Sequence, residues 1–88
     1  MRGIRGEPVE VWLRHGRPAR FVWRGRMYTV MFVLDHRSLP AAPPASPDAV
    51  PGRECWRVEA APERLVPATA YELCRDLATD RWSLWRLA

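Results

Sequence analysis

Apolar and polar side chains alternate over most of the chain, and an alternation of period two marks a strand with one buried face. Over residues 8–14, Val9, Val11 and Leu13 point one way while Glu10, Trp12 and Arg14 point the other. Gly16, Arg17 and Pro18 break that pattern. It resumes over 19–24, with Phe21 and Trp23 on one face against Arg20, Val22 and Arg24, and Gly25 then supplies the positive φ of a tight hairpin. A long third run, 26–35, sets Tyr28, Val30, Phe32 and Leu34 against Met27, Thr29, Met31 and Val33, so both of its faces are largely apolar.

Three more strands follow a break. Residues 37–53 hold five prolines and almost no large apolar side chain, which predicts a mobile loop with nothing to bury. Residues 54–60 alternate again, Trp56 and Val58 opposing Cys55, Arg57 and Glu59. Residues 70–75 and 81–87 flank 76–80, a spacing that suits a hairpin on a type I turn with Asp80 in the left-handed position. A helix over 67–78 competes for part of this stretch. Tyr71 and Leu73 fit period two, and apolar positions do not recur at three and four, which favours the strand.

The pattern therefore predicts one all-β domain over 1–88: a six-stranded antiparallel meander curled into a small barrel or a two-layer sheet, since closure removes exposed edges. The inward sets above, joined by Trp82 and Leu84, form its expected core. The chain has only 88 residues, so that core is thin, although five Trp, two Tyr and two Phe are a large apolar supply.

Charge changes the picture more than size does. The net charge is +4, and all 14 basic residues are Arg. A high-GC genome explains part of that bias. Whatever its origin, Arg carries a planar fork of donors that fits phosphate or carboxylate and stacks on aromatic rings. The first ten residues contain no apolar stretch suited to a signal peptide, and no run reaches transmembrane length, so the expectation is a cytoplasmic protein with no membrane contact. In that compartment Cys55 and Cys74, both on outward positions, are expected as reduced thiols.

Catalysis finds little support. Nothing in the spacing brings Cys55 or Cys74 to His15 or His36, as nucleophilic chemistry requires, and two Cys and two His without short-spaced pairs do not read as a zinc site. No glycine-rich phosphate loop is present. The expectation is a protein that binds without catalysing and holds no cofactor or metal.

One constellation suggests what it binds. Arg20, Arg24 and Arg26 lie on or near one hairpin, Arg57 and Arg75 join them if strand order follows the chain, and Trp12 and Trp85 fall on outer faces. Small barrels use such surfaces for single strands, with Arg on phosphates and aromatics on bases. The alternative is that these arginines pair with Glu10, Glu59 and Glu72 across the sheet. A second feature, the apolar outer set Trp12, Val22, Met31, Val33, Trp85 and Leu87, points either to a protein partner or a homodimer, or to a tightly coiled barrel that partly covers both sides of the long third strand.

The segments Phe21-x-Trp23-Arg24-Gly25 with Tyr28 and Val30, Trp56-Arg57-Val58-Glu59-Ala60, and Tyr71-Glu72-Leu73 through Trp82 resemble a small uncharacterised family of high-GC Gram-positive bacteria. That family occurs as short free-standing proteins and as a C-terminal segment near or on Y-family-like translesion DNA polymerases. The chain differs from its pattern at His36 and Asp80. The resemblance implies a DNA-repair setting and transfers no catalytic residue; taken with the arginine and tryptophan surface, it leads to the expectation of single-stranded DNA or a polymerase-associated protein as partner.

Overall fold

The structure, a computed structural model, describes residues 6–40 and 51–87. Six strands follow one another: β1 (Glu7–Arg14), β2 (Arg17–Trp23), β3 (Arg26–Pro40), β4 (Pro51–Ala61), β5 (Thr69–Asp76) and β6 (Arg81–Arg86). Each pairs antiparallel with the next, and β6 pairs back onto β1, which closes the barrel. The described residues include no helix, and none long and apolar enough to cross a membrane.

The turns explain why neighbouring strands meet. His15 and Gly16 have φ of 55° and 76°, and Arg24 and Gly25 have 52° and 75°. Two left-handed residues in succession give the two-residue turn whose twist matches that of its strands. The third hairpin is built around Asp76, whose carboxylate accepts from the amides of Ala78 at 2.9 Å and Thr79 at 3.2 Å, while its carbonyl accepts from the Asp80 amide at 2.7 Å. Asp80 takes the left-handed position, with φ 60°, as its place in the turn predicts.

Inside the barrel, Phe21, Trp23, Trp56, Val58, Ala60, Tyr71, Leu73 and Leu84 are buried, and Val9, Val11, Tyr28, Val30, Val33 and Trp82 pack against them. Three residues expected in that core lie outside it: Leu13, Phe32 and Leu34, which are 42%, 63% and 54% exposed. Leu13 keeps the facing of Val9 and Val11, since the extra residue of the β1–β2 ladder is Ala19 on β2, and it is exposed because it lies beyond the last β1–β6 pair, Val9↔Trp82. For Phe32 and Leu34 bulges are the cause: the β3–β4 register shifts between Val30 and Phe32 and again between Val33 and Asp35. One extra residue reverses the facing of all that follow, so Phe32 turns out to oppose Glu59 and Val33 turns in to oppose Val58.

The proline-rich stretch is also shorter as a loop than the sequence suggests. Arg37–Pro40 belong to β3 and Pro51–Arg53 to β4, paired with each other across the ladder. Strand pairing satisfies their backbone without requiring a large buried side chain. Residues 41–50 lie outside the described residues.

Closure is confined to a short waist. β1 meets β6 only over Glu7–Val9, and β2 meets β3 only over Arg20–Trp23. Above the waist the β1–β2 hairpin stands away from both neighbours as a finger.

Candidate nucleic-acid interface

The finger leaves a groove between itself and β3, with a volume of about 780 Å³. Trp12, Leu13, Arg14, His15, Arg17, Pro18 and Arg20 line one wall, and Thr29 to Val33 line the other. Trp12 sits directly across the ladder from Arg20, and Arg14 from Arg17, so one outward face of the hairpin presents an aromatic ring and three guanidinium groups. Phe32, turned outward by the bulge at Met31, and Met31 itself line the opposite wall. Arg14, Arg17 and Arg20 make no ion pair with an acid among the described residues. On the finger's other side, between β1 and β6, a second groove is lined by Trp12 together with Glu10, Asp80 and Arg81.

Of the residues expected to form one binding surface, the structure gathers Trp12 and Arg20 and disperses the rest. Arg24 grips Glu7 with two hydrogen bonds, from Nε at 2.9 Å and Nη2 at 2.7 Å, and its guanidinium lies 4.7 Å from the Trp23 ring. Those bonds hold the Glu7 carboxyl below its ordinary range against the opposing pull of burial, helped by the Trp23 indole, which donates at 3.1 Å. The same carboxylate raises Arg24. Arg26 pairs with Glu63 at 3.2 Å and Arg75 with Asp80 at 2.6 Å. Arg57 stands on the outer face of β4, opposite Asp35 and Glu72. Ion pairing thus takes up Arg24, Arg26 and Arg75, although their acids are Glu7, Glu63 and Asp80, reached through turns and a connector, and not the Glu10, Glu59 and Glu72 across the sheet that the sequence suggests. Glu72 instead accepts from Arg37 at 2.9 Å.

Trp85 is placed elsewhere. It is half-buried on β6, and an added Cβ on Gly6 would fall 2.8 Å from its ring, so the indole packs on glycine backbone that no larger residue could occupy. It lines a hollow with Arg37, Arg53, Cys55, Glu72 and Cys74.

Cys55 and Cys74 do lie on outward positions, but they are directly opposite on β4 and β5, bonded as a disulfide and only 2% and 5% exposed. The expected free, reactive thiols are absent, because strand order brings together two residues 19 apart in sequence that no local spacing pairs. Ligand atoms of Cys55, Cys74 and Glu72 lie within 4.8 Å of one another, yet a disulfide offers no thiolate to a metal.

The signals for the groove were present but scattered. Arg14 shares the face of Trp12 on the first strand, His15 and Arg17 look like turn residues, and Phe32 looks like core until the bulge at Met31 is known.

A family model described as a domain of unknown function, DUF6504, matches residues 1–88. The chain belongs to that family. No curated protein matches it, and no solved structure does. The DUF6504 domain is thus a six-stranded barrel in this chain, with a groove at its upper end.

Proposed function

We propose that the domain is a non-catalytic binding module that holds single-stranded nucleic acid in the groove between the β1–β2 finger and β3. The observation that carries this reading is the finger's outward face, where Arg14, Arg17 and Arg20, without acidic partners among the described residues, flank Trp12 and face Phe32. Arginines on phosphates and aromatics under bases are the means by which small β-barrels hold single strands. The setting is the one the sequence resemblance implies, accessory to DNA repair and translesion synthesis beside a cytoplasmic polymerase.

A second reading rests on the exposed apolar side chains at the same end, Leu13, Met31 and Leu34, each 42–54% exposed, which suit a protein adaptor without nucleic-acid contact. Titrating labelled single-stranded DNA at two salt concentrations separates the two. The nucleic-acid reading requires binding that weakens steeply with salt as condensed cations are released. No binding at low salt would leave the adaptor.

A further inference from the structure

β3 outruns its neighbour. Its ladder to β2 ends at the Arg20↔Thr29 pair, whereas its ladder to β4 continues to Pro40. Beyond Thr29, β3 has no strand on its β2 side among the described residues. Met31 and Leu34 break the first part of this edge with bulges, but from Asp35 to Leu39 the strand is regular, each residue opposed one-to-one by β4 from Arg57 to Arg53. A regular edge with its amides and carbonyls facing outward is a template for another strand.

We propose that this edge pairs with the same edge of a second copy, forming a two-fold antiparallel dimer centred on His36. Facing and charge select that register. Residues opposite one another in a ladder point to the same face, so a two-fold axis must pass through a residue and not between two. Asp35 and Arg37 point outward with Arg57 and Cys55, and His36 points inward with Trp56. An axis at Asp35 would set two carboxylates against each other, and one at Arg37 two guanidinium groups. An axis at His36 sets Asp35 against the partner's Arg37 twice over. Asp35 is half-exposed and its contact with its own Arg37 is loose, at 3.7 Å, so it is free to take the second partner. His36 at the axis is already ordered, its ring stacked 4.4 Å from Trp56 and hydrogen-bonded to Glu54 at 3.2 Å.

Sedimentation equilibrium of the whole chain, together with cysteine cross-linking, tests this. The native chain forms a dimer. Asp35→Arg replaces two attractions by two repulsions and weakens it roughly tenfold. Under mild oxidation His36→Cys forms a covalent dimer, because the two introduced thiols meet at the axis. Ser38→Cys does not, since position 38 lies two residues away from the axis. Circular dichroism shows that each variant keeps its strands, and a variant that unfolds is replaced by His36→Ala, Ser38→Ala or Asp35→Asn in the sedimentation experiment, of which only Asp35→Asn weakens the dimer. A native chain that stays monomeric overturns the proposal, as does cross-linking at position 38 equal to that at 36. Because the groove does not include Asp35 to Ser38, DNA binding can fail while the dimer stands, and the reverse.

Discussion

Phe21 on β2 lies directly opposite Tyr28 on β3, their rings stacked 5.1 Å apart and within 4° of parallel, and Tyr71 from β5 meets both edge-on. Three strands are joined through this cluster across the barrel, next to the short β2–β3 ladder. Phe21 is fully buried, so Phe21→Ala should remove about 3–5 kcal/mol of stability, measured by denaturant unfolding. Burial also pushes the Tyr71 phenol above its ordinary value. A loss below about 1 kcal/mol would mean that the cluster does not hold the waist closed.

The Cys55–Cys74 bond closes a loop of 19 residues and links β4 to β5 beneath Trp85. Replacing both cysteines by Ser should cost about 3 kcal/mol, much of it through a less constrained unfolded chain. The folded protein should titrate no thiol before reduction, and mass spectrometry of the alkylated, unreduced chain reads this directly. Two free thiols in that measurement would contradict the bond.

Acid should weaken the base of the barrel by a definite route. The Glu7 carboxyl is held below its ordinary value of 4.5, chiefly by the Arg24 hydrogen bonds. A group whose folded value is depressed adds stability above its unfolded value and loses it as pH falls through the folded one. The melting temperature of the native chain should therefore drop from pH 6 to below 4.5 by more than that of Glu7→Gln, and the two should converge in acid. Parallel curves would show that the contact with Arg24 contributes nothing.

In the groove, aromatic and cationic residues should fail differently. Trp12→Ala should weaken single-stranded DNA binding by about 1–3 kcal/mol with little change in salt dependence, because stacking releases no counterion. Arg17→Glu should weaken binding and lower the salt slope together. Arg24→Glu should leave the slope unchanged, since Arg24 is already held by Glu7 at the other end of β2. A slope that responds to Arg24 as strongly as to Arg17 would move the site away from the finger.

The sequence alone determined the six strands, their order, the turns at Gly16, Gly25 and Asp80, and the inward set at the waist. Each of these depends on short-range rules: alternation of period two, positive φ, and carboxylate-to-amide bonds within a turn. Phe21, Trp23, Trp56, Val58, Tyr71 and Leu73 were all legible in that way, as were Trp12 and Arg20 on an outer face. Tertiary structure decided where the alternation slips. A bulge is a mismatch between two strands, so neither strand announces it alone, and Phe32 and Leu34 left the core for that reason. The disulfide likewise depends on the register of β4 against β5, and the pairing of Arg24 with Glu7 on the meeting of β1's start with the β2–β3 turn. The groove was the least legible feature of all. It exists because β1 leaves β6 after Val9 and β2 meets β3 only as far as Arg20, and where two strands part is set by twist and closure of the whole barrel, which no local pattern encodes.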